Sequence, residues 1–136
     1  MKVLVATDGS NHSMKAVERG LEMAEKHGYL VTLMSVALFD GTYMEGMADI
    51  REKLEGEANT VLNKAKALFD AKNLPVETVL STGPVPANSI IQMAQEEKFD
   101  RIIVGSTGRS AMKMIFMGST AAKVVAHAPC EVIVVR

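Results

Sequence analysis

The sequence predicts a single α/β domain in which helices cover both faces of a five-stranded parallel β-sheet. Short apolar, β-branched runs alternate along the chain with longer stretches of helical period, as they do in consecutive βαβ units. The first run, Val3 to Ala6, is nearly all apolar, which is typical of a strand covered on both faces. With 136 residues and no internal repeat or linker, residues 1–136 are expected to form one domain.

The first strand and helix are separated by a polar turn. Val3 to Ala6 predicts the strand, and Thr7-Asp8-Gly9-Ser10 then turns the chain. Ser10 is expected to cap a helix that runs to His27, because apolar residues recur there at steps of three and four. Gly28 supplies the signal that ends this helix.

The middle of the chain predicts a second strand, Val31 to Val36, a polar loop from Asp40 to Gly46, and the longest helix, from Met47 to about Lys72. The apolar face expected for this helix consists of Ile50, Leu54, Ala58, Val61, Ala65 and Leu68.

The rest of the chain continues the same alternation. Val76 to Ser81 alternates in polarity, which favours a strand near an edge of the sheet. Proline residues then precede a helix through Ile90 and Ala94, and Arg101 to Val104 predicts the fourth strand. A last helix follows Gly118, and Val132 to Val135 predicts the fifth strand.

Charge and cysteine content exclude several classes of function. The formal net charge is -1, so bulk electrostatics would not attract nucleic acid or an anionic membrane. The single cysteine, Cys130, excludes an internal disulfide and a thiolate zinc site. We therefore expect a cytoplasmic protein without an export signal or a membrane span. Any anion-binding site is expected to be formed by a few nearby groups and not by the overall charge.

The segment after the fourth strand carries the clearest binding motif. Ligands of open α/β sheets bind beyond the carboxyl ends of the strands. Gly105 and Gly108 can adopt positive φ angles, and because they have no Cβ they let backbone amides approach a ligand. Gly118, Ser119 and Thr120 open the last helix, where amide groups and the helix dipole favour a phosphate.

The glycine spacing distinguishes this segment from other phosphate-binding loops. There is no Gly-Lys-Ser/Thr triplet, and no Gly-x-Gly-x-x-Gly follows the first strand. Two residues separate Gly105 from Gly108, nine separate Gly108 from Gly118, and Ser119 follows. This pattern resembles the nucleotide-binding signature of the UspA-like universal stress protein family, and the resemblance covers the whole chain.

The resemblance implies a fold, a ligand and a set of contacts. The fold is a doubly wound sheet of the adenine nucleotide alpha hydrolase-like kind in strand order 3-2-1-4-5, and the ligand is an adenine nucleotide, ATP, with magnesium. Ala6, Thr7 and Asp8 would lie against the adenosine, with Asp8 near the ribose or a phosphate-bound metal ion, and the backbone of Val36 would meet the adenine edge. The residues beside the ribose and phosphates would be Gly105, Ser106, Thr107, Gly108, Arg109, Ser110, Gly118, Ser119 and Thr120.

Simpler interpretations remain open for some of these residues. Glycines in loops are often only turn residues, and Asp8 could be a capping carboxylate. His12, His27 and His127 lie in helical stretches without a partner motif, so we expect surface or capping residues and assign none a catalytic role.

Two functions are compatible with this sequence. The first is a stress-response sensor or regulator in which nucleotide binding changes dimer stability or partner choice. The alternative is an enzyme, a slow ATPase or nucleotide-dependent transferase that uses the same cleft. In either case Val132 to Val135 is expected at an edge of the sheet, where it would pair with a second copy in a homodimer.

Overall fold

The computed structural model describes residues 1–40, 47–107 and 117–136. Strands and helices alternate along these ranges, as the sequence predicts. They are β1 (Lys2–Ala6), α1 (Asn11–His27), β2 (Leu30–Leu38), α2 (Met47–Asp70), β3 (Glu77–Gly83), α3 (Pro86–Glu96), β4 (Arg101–Gly105), α4 (Ser119–His127) and β5 (Glu131–Val135).

All five strands form one parallel sheet in the order β3-β2-β1-β4-β5, so the predicted fold class and strand order are confirmed. In the register of the central strands, Val5 lies beside Leu33 of β2 and Ile103 of β4. Strands β3 and β5 form the two edges, as predicted for both. Every inner strand is therefore flanked on both sides, and the carboxyl ends of all five strands point the same way.

The sheet is buried on both faces. Val3 and Val5 of β1 point into one core with α1 and α2, whereas Leu4 points into a second core with α3 and α4. All three side chains are fully buried. A strand with apolar residues at consecutive positions is stable only when both faces are covered, which explains why β1 shows no alternation of polarity.

The ends of the helices follow local sequence signals. Gly28 ends α1 at a φ of 68°, and its N–H donates to the Ala24 carbonyl over 3.0 Å. Pro86 occupies the first turn of α3, where its missing N–H costs no hydrogen bond. No helix within the described ranges is long and apolar enough to cross a membrane.

The buried face of α2 agrees with the predicted one at Ala58 and Ala65 and differs from it elsewhere. The buried residues are Ala58, Leu62, Ala65 and Phe69, whereas Ile50 and Leu68 are exposed. Consecutive residues of an α-helix are separated by about 100° around the axis, so a face shifted by one residue lies on a different side of the helix. The helix also ends at Asp70 rather than at Lys72.

Candidate functional site

The connections from β1 and β4 leave the sheet on opposite faces. Helix α1, which follows β1, packs in the core around Val3 and Val5, whereas α4, which follows β4, packs in the core around Leu4. Because β1 and β4 are neighbours in the sheet, a crevice is expected beyond their carboxyl ends, at the topological switch point. The residues predicted to bind a nucleotide from β1 and β4 follow these two strands.

The turn after β1 is held by a network of side-chain hydrogen bonds. Asp8 Oδ1 accepts from the Ser10 N–H and from the Ser13 hydroxyl, each over 2.9 Å. The Ser13 hydroxyl also lies 2.9 Å from the Thr7 hydroxyl, and both residues are buried. Asp8 therefore has the turn contacts of the simpler interpretation, while its contact with a ribose or a metal ion stays a prediction.

Ser10 starts α1 differently from the prediction. Ser10 is the N-cap residue by position, but its side chain makes no capping hydrogen bond to the helix. Its hydroxyl lies 3.5 Å from the Thr107 carbonyl oxygen, so it contacts the residues after β4 instead. The first turn of α1 is stabilised from within by Ser13, whose hydroxyl oxygen also lies 3.0 Å from the Ser10 carbonyl oxygen.

Gly105 is needed for close packing and not for a positive φ angle. Gly9 and Gly28 are the glycines with positive φ in the part of the chain that the structure describes, so Gly105 does not use the positive φ that a glycine allows. A Cβ atom at Gly105 would lie 2.6 Å from the Ser13 nitrogen and 2.7 Å from the His12 carbonyl carbon. Glycine at this position lets the first turn of α1 rest directly on the end of β4.

His12 lies at this same contact, which corrects the expectation of a surface or capping residue. Its Nδ1 atom lies 2.9 Å from Ser106 Oγ and 2.5 Å from Thr107 Oγ1, and the residue is half-buried. Ser106 is buried, and its N–H donates to the Val135 carbonyl over 2.7 Å. One imidazole thus joins α1 to the two residues that follow β4.

The start of α4 is attached to the end of β4. Gly118 is the N-cap residue, as predicted, and its N–H donates to the Ser106 carbonyl over 2.6 Å. The first intrahelical bond runs from the Ala122 N–H to the Gly118 carbonyl. The N–H groups of Ser119 and Thr120 thus belong to the first helical turn, where intrahelical acceptors are lacking.

The glycine-bearing segment itself is described only at its ends. Gly105, Ser106 and Thr107 lie at the end of the described range 47–107, and Gly118 lies in the described range 117–136. The predicted contact residues Gly108, Arg109 and Ser110 lie outside the described residues, so their roles stay predictions.

Val36 presents its backbone beyond the end of β1. The Thr7 N–H donates to the Met34 carbonyl over 2.9 Å, so the polar backbone groups of Met34 face β1. Residues two apart in a strand face the same neighbour, and Val36 therefore faces the β1 side as well. Because β1 ends at Ala6, which pairs with Met34, the Val36 backbone faces the space beyond that strand.

Neither a metal site nor a reactive thiol is indicated among the residues that the structure describes. Among the residues that the structure describes, no three His, Cys, Asp or Glu side chains are grouped as a metal site. Burial, together with Asp100 and Glu131, raises the pKa of the half-buried Cys130 thiol. A raised pKa reduces the thiolate fraction, and the thiolate is the form that acts as a nucleophile or metal ligand.

Comparison with known proteins places this geometry in a family. A family model described as the universal stress protein family matches residues 1–136. The chain belongs to the universal stress protein family. Universal stress protein MJ0531 of Methanocaldococcus jannaschii is 32% identical over 139 residues, which cover 99% of this chain and 81% of that protein.

Solved structures of universal stress proteins share the fold. UspA from Lactobacillus plantarum has a TM-score of 0.87 at 27% identity and covers 100% of this chain and 97% of its own. A universal stress protein in complex with cAMP has a TM-score of 0.72 at 26% identity and covers 100% of this chain and 96% of its own. The family resemblance inferred from the glycine spacing is thus confirmed at the level of the family.

Sequence reasoning about this universal stress protein missed His12 and Ser13. Both follow the Asp8 turn in the first turn of α1, next to the carboxyl end of the neighbouring strand β4. Their position relative to the switch point could have predicted that they lie at the site, because the first helical turn after β1 must lie beside the residue that ends β4.

Proposed function

We propose that this universal stress protein binds an adenine nucleotide, ATP, and acts as a nucleotide-dependent regulator of stress responses. The observation that carries the proposal is that the first turn of α4 and the backbone of Val36 both adjoin the switch point of the sheet. One offers N–H groups for phosphates, and the other offers a backbone donor and acceptor for the edge of a base.

The phosphate half of the proposal rests on α4. The amides of Ser119 and Thr120 would bind the β- and γ-phosphates, helped by the helix dipole and by two neutral hydroxyl groups. The Gly118 N–H is already bonded to Ser106, so Gly118 would contribute by its small size. Gly108, Arg109 and Ser110 are proposed to complete this half.

The adenosine half rests on β1 and β2. Ala6, Thr7 and Asp8 lie at the end of β1, and Val36 lies two residues beyond the last β2 residue paired with that strand. Asp8 would contact the ribose or a magnesium ion carried by the phosphates, since a carboxylate oxygen suits this hard cation. The cAMP complex of a relative supports binding of an adenine nucleotide, and the choice of ATP rests on the glycine spacing.

Two variants of Gly118 test the phosphate site. Gly118 has a φ of -64° and a ψ of 166°, which any residue adopts, and it occupies an N-cap position, which favours aspartate and asparagine alike. Gly118→Asp and Gly118→Asn therefore keep α4 and differ mainly in charge. We expect the aspartate variant to bind ATP at least tenfold more weakly than the asparagine variant by calorimetry, because a carboxylate repels phosphate.

The same titrations contain the result that would reject the site. Equal ATP affinity for wild type and Gly118→Asp would show that phosphates do not bind at the start of α4. Titrations with ADP, AMP and cAMP, with and without magnesium, would identify the preferred nucleotide. A turnover above about one per second would favour the alternative of an enzyme.

A homodimer and a cytoplasmic location belong to the same proposal. Strand β5 is an edge strand, and the N–H and carbonyl groups of an edge strand can pair with a second copy. A regulator could then respond to nucleotide through the stability of its dimer. The single cysteine fits a reducing compartment such as the cytoplasm.

A further inference from the structure

The first turn of α1 makes three polar contacts with the two residues that follow β4. His12 Nδ1 lies 2.9 Å from Ser106 Oγ and 2.5 Å from Thr107 Oγ1. The Ser10 hydroxyl lies 3.5 Å from the Thr107 carbonyl oxygen. These contacts span more than 90 positions of sequence, so they join two parts of the site that the chain does not join locally.

The residue that His12 contacts also anchors α4. Ser106 accepts a hydrogen bond from the Gly118 N–H over 2.6 Å, and its own N–H donates to Val135 over 2.7 Å. The backbone of Ser106 is thereby fixed at two points, and the imidazole fixes its side chain at a third. The orientation of the first α4 turn relative to β4 consequently depends on a residue that His12 helps to hold.

The space around this contact leaves little freedom for an alternative arrangement. Ser106 is only 5% exposed, and a Cβ at Gly105 would overlap the His12 carbonyl carbon and the Ser13 nitrogen. A buried hydroxyl that loses its partner costs free energy, because no water replaces the hydrogen bond. Removal of the imidazole would thus leave Ser106 to find another partner by rotation or by a shift of the turn.

We infer that His12 is a positioning residue for the phosphates: it holds Ser106 and Thr107 so that the first-turn amides of α4 point at the bound phosphate groups. This inference rests on the proposed function. Small errors in the placement of a binding group reduce affinity strongly, and groups held by packing and secondary hydrogen bonds avoid such errors. His12 acts through Ser106 and Gly118, so it affects the phosphate half and leaves the adenosine half at β1 and β2 intact.

Three substitutions of His12 separate the contribution of its Nδ1 atom from that of its side-chain volume. In asparagine a polar amide atom is bonded to Cγ, as Nδ1 is in histidine, whereas glutamine carries its amide one carbon further out. We expect His12→Asn to bind ATP within about threefold of wild type. His12→Gln and His12→Ala should bind ATP about tenfold more weakly, which corresponds to the loss of one to two hydrogen bonds.

Adenosine, which has no phosphates, separates a role in positioning phosphates from a general loss of structure. A general loss of structure would weaken adenosine and ATP binding together. All His12 variants are expected to bind adenosine as wild type does, measured by ligand-detected NMR, while ATP affinity is measured by calorimetry. His27→Ala is the matched control, because His27 is an exposed histidine at the far end of the same helix, and it should change neither affinity. Circular dichroism checks that each variant is folded.

Three outcomes would overturn the inference. His12→Ala could bind ATP as tightly as wild type, His12→Gln could match His12→Asn, or ATP and adenosine affinities could fall together. Each of these leaves the proposed function standing, because wild type still binds ATP. If wild type binds no ATP, the proposed function fails and the inference fails with it, so the two failures are distinguishable.

Discussion

At the scale of single residues, Gly105 shows how strongly local packing limits the site. Its hydrogen-only side chain faces backbone atoms of His12 and Ser13, which cannot rotate away as a side chain could. The close contact with α1 is by itself sufficient to require glycine at this position. Fold stability thus accounts for Gly105 of the motif, while a role for any of its glycines in ligand binding stays a prediction.

Gly105→Ala should destabilise the protein by about 1–3 kcal/mol, because its methyl group would force the first turn of α1 away from β4. Urea unfolding monitored by circular dichroism would measure this change. Gly56→Ala is the matched control, since a Cβ at Gly56 meets no atom within 4 Å and the residue lies in helix α2. That change should stabilise the protein by up to about 1 kcal/mol through helix propensity. Equal effects of the two changes would contradict the close contact.

The sequence predicted which residues lie near the switch point but not how they contact one another. Asp8 and Gly118 were recognised because turn and helix-start chemistry is local along the chain. The partners of His12 lie 94 and 95 positions away, and no local pattern encodes such a distance. Gly105 was recognised as a residue whose missing Cβ permits close approach, but the sequence did not show that the approaching group is the first turn of α1.

At the scale of secondary-structure elements, α2 shows that periodicity alone does not determine which face of a helix is buried. Apolar residues occupy adjacent positions at Val61 and Leu62 and again at Leu68 and Phe69. Either member of each pair fits a helical period, and the sheet beneath the helix decides which is buried. The structure buries Leu62 and Phe69, so their neighbours lie nearer to solvent.

Phe69→Ala should therefore cost about 3–5 kcal/mol, because it removes a fully buried aromatic ring from the core. Leu68→Ala, at the adjacent residue, should change the free energy of unfolding by only about 0.5 kcal/mol. Chemical denaturation of both variants compares the two faces directly. A larger loss for Leu68→Ala would show that the face originally predicted from periodicity is the buried one.

Strand and helix bounds agree with the sequence to within two residues, because Gly, Pro and polar turns end elements locally. One of the two-residue differences comes from tertiary pairing. Strand β2 continues to Leu38, two residues past the predicted end at Val36, because Ala37 and Leu38 pair with Thr82 and Gly83 of β3. No signal within β2 alone indicates that a neighbouring strand extends so far.

At the scale of the whole molecule, β5 leaves one side of its backbone for a partner. The Ser106 N–H donates to the Val135 carbonyl, so Val135 and Ile133 face β4 while Val134 faces outward. Side chains of β5 are only partly buried on either face of the sheet. Pairing with β5 of a second copy would extend the sheet and cover these side chains.

Val134→Pro should convert the proposed dimer to a folded monomer, because it removes an outward N–H and leaves the ladder to β4 intact. Light scattering after size-exclusion chromatography measures the mass, and circular dichroism checks the fold. Ile133→Pro is the contrasting variant, since it removes an N–H that faces β4 and should reduce stability itself. A monomeric wild type would refute the dimer, and a dimeric Val134→Pro would refute pairing through β5.

The strand order itself was available only through the resemblance to a family. Alternating strands and helices predict a parallel sheet, but many orders of five strands satisfy that pattern. The glycine spacing selected the family, and the family implied the order that the structure has. Whole-molecule topology was thus predicted by comparison, whereas burial of β1 on both faces followed from its composition.

Ser106 is hydrogen-bonded to three different parts of the fold. Its amide reaches the last residue of an edge strand, its carbonyl reaches the cap of the final helix, and its hydroxyl reaches an imidazole on the first helix. A displacement of this one residue would change all three of these hydrogen bonds together. The edge strand β5 and the start of α4, where phosphates are proposed to bind, are therefore connected through one residue, so a displacement of either would affect the other.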